Sequence, residues 1–383
     1  MEAFWMIYFD NSATTKPLDA CVETYTKVAT NYFGNPSSLH GYGAKVSELH
    51  EQARILVAGM LGVLPEEIIF TSGGTESNNM ALKGVADFYR GRGKHIITTT
   101  IEHPSIQNTM QHLETQGFEI TRLPVNATGI ISVEDLKTAL REDTILVSVM
   151  HVNNEVGSLQ PIQAIADLLK TREQTFFHVD HVQGLTKVAL DVAGIDLVSI
   201  SGHKIHGLNG TGVLIKKKRV SLLPLLDGGG QEFGLRNGTE NTAGVVAFAK
   251  ALRIGLENQE AHVADLETIR DYLLDSLAEI PEVSIHTDKK QAAPHICCFS
   301  VVGHRGEVLV HALEEYEVYV STTSACSSRA KLASSTLKAM RVTDEEAVGA
   351  VRVSLSYQNT MAEAERFIVV IQTIIKNLNE VVK

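Results

Sequence analysis

The sequence predicts an α/β protein. A large domain with a mainly parallel sheet between layers of helices is joined to a smaller α+β domain. Three observations carry this reading. Between residues 68 and 215, short apolar runs alternate with helical stretches of about 10–15 residues, the rhythm of parallel βαβ units. Beyond residue 283 strands and helices follow a different order, as expected of a separate α+β unit. Finally, Thr75, His103, Asn154, Asp180 and Lys204 each stand just after an apolar run. Side chains at the carboxyl ends of parallel strands converge on one crevice.

The elements follow in order. Residues 10–15 (DNSATT) are small and polar, and with Pro17 they form a loop into a helix starting at Leu18. There Leu18, Cys21, Val22, Tyr25 and Val28 recur at helical spacing, which puts Cys21 in the core. Residues 31–40 are a loop and 43–61 a helix. Residues 68–70 form a buried strand that runs into Thr71-Ser72-Gly73-Gly74-Thr75-Glu76 and a further helix. Two glycines and a hydroxyl at a helix start leave backbone N–H groups free for an anion. No Gly-Lys-Ser/Thr ending follows, so a single phosphate fits better than a nucleotide. A plain turn capped by Thr75 explains the same residues equally well. Strands are expected over 94–99, 120–124, 145–150, 175–179, 197–200 and 212–215, with helices over 105–116 and 162–169. Lys204 follows the 197–200 strand in a tight, glycine-flanked turn between His203 and His206. A glycine-rich polar loop at 228–241 precedes long helices over 242–259 and 263–277, a hinge between domains. The tail reads as strand 295–301, helix 306–314, strand 318–320, a small-residue loop around Cys326, helix 334–340, strand 350–355 and a last helix from Met361. The expected division is 15–260 for the large domain and 1–14 plus 261–383 for the small one.

Composition narrows the function. A chain of 383 residues has room for two or three cores. A net charge of -11 argues against nucleic acid as a direct ligand. No apolar run approaches the ~20 residues of a membrane span. Residues 1–8 contain no basic residue and no small-residue cleavage site, so they do not read as a signal peptide. Cys21, Cys297, Cys298 and Cys326 are badly spaced for a disulfide framework or a metal site. A reducing, cytoplasmic setting is the expectation.

The strand-end residues suit pyridoxal phosphate. Its aldehyde needs an amine, Lys204, whose place past a core strand favours a low pKa. Its ring nitrogen needs a carboxylate, Asp180. Its phosphate needs N–H and hydroxyl donors such as Gly74, Thr75, Ser201 and His203. His103 can supply a plate against the ring. Taken singly, Asp180 as a cap and His103 as an ordinary loop histidine are equally natural, and their joint placement is what favours chemistry. Cys326 lies among small, polar and basic residues near Arg329 and Lys331, surroundings that lower a thiol pKa and suit a nucleophile. An incidental loop cysteine is the alternative. Arg352 is a lone arginine in an apolar strand and fits either a substrate carboxylate or a structural ion pair.

These motifs together resemble the cysteine desulfurases of the NifS/IscS type, within the class V aminotransferase family. They are DNSATT (10–15), GNPSSLH (34–40), TSGGTESNN (71–79), the pair Glu102-His103, HVNNEVG (151–157), HVDHVQ (178–183), SGHKIHG (201–207), GGGQE with RNGTEN (228–241) and SACSS (324–328). The resemblance spans nearly the whole chain. It implies the aspartate-aminotransferase-like fold of pyridoxal-phosphate enzymes (fold type I) and a homodimer. It also implies conversion of L-cysteine to L-alanine with sulfur left on the enzyme as a persulfide. By position, it makes Lys204 the Schiff-base lysine and Asp180 the pyridinium partner. Gln183 and Asn154 lie near the cofactor's phenolic oxygen, and His103 stacks on the ring and shuttles protons. Gly74, Thr75, Ser201 and His203 hold the phosphate, reached also by Thr239 of the partner subunit. Arg352, with Asn11 and Asn154, holds the substrate carboxylate. Cys326 carries the persulfide on a long mobile loop. His181, His206, Leu208-Asn209 and Asn237 depart from the commonest family pattern. They resemble Bacillus-type paralogues that serve one dedicated acceptor, such as a ThiI-like tRNA sulfurtransferase, rather than an iron–sulfur scaffold. The rival readings are an aminotransferase, a selenocysteine-specific lyase and a non-enzymatic scaffold for sulfur-relay partners.

Overall fold

The computed structural model describes residues 6–323 and 334–381. Its elements are β1 (Ile7–Tyr8), α1 (Asp19–Asn31), α2 (Gly41–Leu61), β2 (Ile68–Thr71), α3 (Gly74–Tyr89), β3 (His95–Thr99), α4 (Pro104–Thr115), β4 (Glu119–Leu123), α5 (Val133–Ala139), β5 (Thr144–Met150), α6 (Ile162–Leu169), β6 (Phe176–Asp180), β7 (Leu197–Ser201), β8 (Gly212–Lys216), α7 (Thr242–Glu257), α8 (Gln259–Ala278), β9 (Val283–Ile285), β10 (Ile296–Val301), α9 (Gly306–Glu314), β11 (Val318–Tyr319), β12 (Ser321–Thr322), α10 (Ser335–Ala339), α11 (Asp344–Val348), β13 (Ala350–Ser354) and α12 (Met361–Val381).

Seven strands form one sheet in the order β2-β8-β7-β6-β5-β3-β4. The pairs among β7, β6, β5, β3 and β4 are parallel, and β8 runs antiparallel to both of its neighbours. The mainly parallel sheet expected from the sequence rhythm thus has one antiparallel strand, β8. Residues 202–211 are too short a link for a parallel crossover, which needs about a dozen residues or more, so the chain turns back instead. Every residue of β5, β6 and β7 is buried, as strands covered on both faces must be. Alternate side chains feed two cores. Val147, Val149, Phe177, Val179, Val198 and Ile200 pack with residues of α2, α6 and α7, while Leu146, Phe176, Leu197 and Leu214 pack with α3 and α4. The edge strand β4 is the most solvated of the parallel strands.

A second sheet, β12-β13-β10-β9, is antiparallel throughout, and β1 pairs with β11 in parallel. Its core joins Ile7 and Phe9 to α8, α9, β10, β13 and α12. The single strand expected over 318–320 divides at Val320: β11 serves β1 and β12 serves β13. In α1, Cys21 and Val28 are buried as expected, but Val22 and Tyr25 are exposed. The short helices α5 and α11 were not evident in the sequence. Each is too short for a clear apolar stripe and is started by a hydroxyl cap, Ser132 or Thr343.

One buried ion pair anchors the 228–241 loop. Glu232 accepts two hydrogen bonds from Arg54 (2.7 and 2.9 Å), one from the Phe70 amide (2.8 Å), and contacts His50 Nε2 at 3.0 Å. Burial pushes its carboxyl pKa up, but His50 and Arg54 override this and hold it below the usual carboxylate range. Glu232→Ala leaves Arg54 buried without its main partner, so unfolding should become easier by about 3–5 kcal/mol. The sign follows from the depressed pKa. The pair's contribution is full above the ordinary carboxylate range and fades below roughly pH 4. Denaturant titrations of wild type and variant between pH 3 and 7 check both points, and a pH-independent difference would contradict them.

Candidate active site

Because β2, β3, β5, β6 and β7 point the same way, their carboxyl ends lie along one edge of the sheet. That edge carries the β2–α3 turn, His103 at the start of α4, Asn154 after β5, Asp180 at the end of β6 and Lys204 after β7.

Lys204 ends a single 3-10 turn, Gly202–Lys204, that leaves β7. Its half-buried ammonium donates to the carbonyls of Ser12 and Ala13, the latter at 2.6 Å. The 10–15 loop is locked over this turn. Thr15 N and Thr15 Oγ1 both donate to His203 O at 2.9 Å, and Gln183 Nε2 donates to Ser12 O at 3.0 Å. Beneath Lys204 lies a second lysine that sequence reasoning missed. Lys187 is buried and donates from Nζ to Lys204 O at 2.8 Å. Burial, then the nearby Lys204 charge, pushes its pKa down to about 7. Only small and apolar neighbours surround Lys187 in the sequence, so no local pattern marked it.

Asp180 is buried. One carboxylate oxygen accepts from Val182 N at 3.0 Å and the other from Asn78 Nδ2 at 2.8 Å. Asn78 also reaches Ser105 Oγ at 2.9 Å, and Ser105 Oγ lies 2.8 Å from His103 Nδ1. Neither Asn78 nor Ser105 stood out in the sequence. Both follow site residues by two or three positions at a helix start, which was the available signal. Glu102 is buried, bonded to Thr99 Oγ1 and Met150 N, and burial pushes its pKa up to about 8.

The β2–α3 turn is built for an anion. Gly73 has φ +148°, a conformation open to glycine, and no side chain caps α3, so the N–H groups of its first turn are available. Ser201 Oγ is buried without a hydrogen-bond partner, 3.5 Å from where a Cβ on Gly73 would stand. A Cβ on Gly74 would come within 2.6 Å of Val182 Cγ2. Thr75 is exposed at the second position of α3. His203 contacts Thr14 Oγ1 at 3.2 Å, and burial, then Lys204 and Lys187, pushes its pKa down to about 4, leaving a neutral ring. An uncapped helix start beside an unpartnered buried hydroxyl, facing Lys204 and Asp180, fits a phosphate-bearing aldehyde with a basic ring nitrogen. Next to the turn, Thr239 and Arg236 line a recess of about 180 Å³ with Thr71 and Ser72, and Thr239 is exposed there.

Arg352 donates to Asp10 Oδ1 (2.9 Å) and Asn154 O (2.8 Å), so the ion-pair account of this residue is realised. Its Nε is buried without a partner, and Nη1 and Nη2 each keep a second N–H beyond these two bonds. Asn11 is buried and its Nδ2 lies 3.0–3.1 Å from Tyr8 O, Ser354 O and Asn359 Oδ1, which ties the 10–15 loop to β13. Asn154 is half-buried. Cys326 falls outside the described residues. The neighbours that are described sit close to Arg352: Ser321 is its register partner, and Ser334 and Thr336 donate to Glu155.

Among the positions that depart from the family pattern, His181, His206 and Asn237 have local explanations. His181 stacks on His151 with Nδ1 atoms 2.9 Å apart, and a Cβ on Gly184 would strike the His181 ring at 2.5 Å, so Gly184 makes room for the pair. Burial lowers both pKa values, that of His151 to about 4. His181 therefore adds no charge beside Asp180. His206 donates from Nδ1 to Lys16 O (2.8 Å) and packs on Tyr357, with ring centres 4.4 Å apart. Asn237 bonds Gly230 N and Leu226 O inside the 228–241 loop. Among the described residues there is no helix long and apolar enough to cross a membrane, and no cluster of three or more side chains fit for a metal.

Comparison with known proteins agrees with this geometry. The model of the family "Aminotransferase class-V" matches residues 7–367. A NifS/IcsS protein homolog of Lactobacillus delbrueckii subsp. bulgaricus is 49% identical over 98% of this chain and 99% of its own length. A protein named cysteine desulfurase IscS from Clostridium botulinum is 41% identical over 98% and 95%. The solved structure of a NifS-like protein superposes with a TM-score of 0.92 at 38% identity, covering 97% of this chain and all of the other. By sequence, fold and the residues gathered at the strand ends, the chain belongs to the pyridoxal-phosphate-dependent class V aminotransferase family.

Proposed function

We propose that this chain is a cysteine desulfurase that converts L-cysteine to L-alanine and carries the sulfur on Cys326. The observation that carries the reading is the convergence of Lys204, Asp180 and the uncapped α3 start on one sheet edge, with the ends of the Cys326 segment next to Arg352. Relatives named cysteine desulfurase support it over the full length.

Bound pyridoxal phosphate supplies an aldehyde that condenses with amines and a ring that takes up electrons from an amino acid's α-carbon. Lys204 would be the amine that holds the aldehyde and, when free, the base that takes the substrate's α-proton. Asp180, fixed by Asn78 and Val182 N, keeps the ring nitrogen protonated. Gly74, Thr75, Ser201 and His203 hold the phosphate, with Thr239 of the partner subunit added in a homodimer. His103 would support the ring face, and Asn154 and Gln183 would hold its oxygen. Arg352 offers its guanidinium to the substrate carboxylate, with Asn11 ordering the loop beside it. The Cys326 thiolate attacks the substrate sulfur. An S–S bond forms, the C–S bond breaks with its electron pair left on carbon, and protonation of that carbon together with return of a proton to the α-carbon gives alanine.

Exposed Phe33, Leu39, Ile55 and Leu56 along the α1–α2 turn and α2 support a dimer face. We place the domain division at 15–260 against 1–14 plus 261–383. Sulfur passes on to an acceptor protein, for which a ThiI-like tRNA sulfurtransferase is favoured over an iron–sulfur scaffold by His181, His206, Leu208-Asn209 and Asn237.

The test is alanine formation from L-cysteine in the absence of any keto acid. Stoichiometric alanine is expected. Formation of pyridoxamine phosphate with a keto acid and no alanine would instead indicate an aminotransferase. Ser201→Ala removes one donor to a charged phosphate, worth about 1.5–3 kcal/mol. Its dissociation constant for the cofactor should rise about tenfold or more, read by equilibrium dialysis. An unchanged constant would remove Ser201 from the phosphate site.

A further inference from the structure

The first-turn geometry of α4 decides where the proton on His103 sits. His103 is the N-cap, Pro104 follows without an N–H, and Ser105 N donates to His103 Nδ1 at 3.1 Å. A backbone amide always carries its proton, so the Nδ1 it points at must be bare. The hydroxyl of the same serine is directed from the other side. The amide nitrogen of Asn78 faces Asp180 and donates to its carboxylate oxygen at 2.8 Å. That same nitrogen spends its second proton on Ser105 Oγ at 2.9 Å. The serine hydroxyl, already an acceptor there, has its one proton left for His103 Nδ1 at 2.8 Å. Asn78, Asp180 and Ser105 are all buried, and Thr109 Oγ1 fixes the Ser105 carbonyl at 2.8 Å. A chain of donors thus runs from the Asp180 carboxylate to one edge of the His103 ring.

We infer that Ser105 and Asn78 are positioning residues that lock His103 as the neutral Nε2–H tautomer, so that His103 serves the site as an N–H donor and not as a base. A base needs a bare ring nitrogen, and here that nitrogen is Nδ1, which faces Ser105 and is doubly occupied. Adding a proton to Nδ1 would set two N–H groups against each other, that of His103 and that of Ser105. Burial also lowers the His103 pKa, with Asp180 after β6 opposing and Lys204 after β7 reinforcing the shift. Moving the α-proton therefore falls to Lys204. This inference rests on the reading of the site given above, and it replaces the proton-shuttling role that the resemblance implied for His103 with that of a fixed N–H donor.

The experiment is nitrogen NMR of the cofactor-loaded, histidine-labelled enzyme, with His103 assigned by its loss in His103→Gln. The wild-type enzyme should show one His103 tautomer, bare at Nδ1 and protonated at Nε2, unchanged from pH 6 to pH 9. Ser105→Ala keeps the backbone donor and loses only the hydroxyl, so Nδ1 should stay bare while its nitrogen resonance moves toward that of a less hydrogen-bonded ring nitrogen, and Ser105→Thr should restore the wild-type position. A wild-type His103 protonated at Nδ1 would overturn the inference even if no variant folded. So would a Ser105→Ala spectrum identical to wild type. Failure of the desulfurase reading is a separate result, seen as absent alanine with the His103 tautomer as described.

Discussion

Lys204→Ala should reduce alanine formation by roughly four orders of magnitude or more, because no other group supplies both the covalent hold on the cofactor and the base. The fold should survive. Ser12 O keeps its bond from Gln183, so the loss is on the order of 1 kcal/mol from the weakened 10–15 loop. The direct readout is covalent. Borohydride treatment of the loaded wild type should fix the cofactor's mass on the Lys204 peptide, and the variant should retain none. Lys187 gives this test its edge. It is buried against the Lys204 carbonyl, and its pKa of about 7 leaves much of it as free amine near neutrality. Cofactor fixed on Lys187 in the wild-type enzyme would move the covalent role one lysine inward and refute the assignment to Lys204.

The second large effect is expected at Cys326. Cys326→Ser should bind cofactor and substrate as the wild type does, yet produce no persulfide, with sulfur release down roughly 10³-fold or more. A hydroxyl is a far weaker nucleophile toward sulfur than a thiolate. The other cysteines are poor substitutes. Cys297 and Cys298 are buried, and burial pushes the Cys297 thiol up to about 12 and the Cys298 thiol well above the usual thiol range. Cys21 is buried too, with its pKa raised. Undiminished sulfide release from Cys326→Ser would show that no residue of the chain needs to carry the sulfur.

Much of the fold was legible because local signals and tertiary demands coincide. The runs at 145–150 and 197–200 are apolar at every position, which suits strands covered on both faces, and α6, α9 and the start of α12 fall where the pattern put them. What did not read from the sequence depends on partners far along the chain. The direction of β8 is set by pairing with β2 and β7, and the break at Val320 by two different neighbouring strands. At the site, Lys204, Asp180 and His103 announced themselves by standing at strand ends. Lys187, Asn78 and Ser105 gave no comparable signal, since their importance lies in hydrogen bonds across 17, 102 and 27 positions respectively. Arg352 held two readings in the sequence, and the contact with Asp10, 342 positions away, supplied the ion pair.

The central claim is transfer of sulfur from cysteine to Cys326. It is tested most directly by incubating the loaded protein anaerobically with L-cysteine and weighing the intact chain before and after thiol reduction. The account predicts a reducible gain of one sulfur atom, mapped to the Cys326 peptide, with alanine in the supernatant. A loaded protein that gains no sulfur, or gains it on another cysteine, would contradict it.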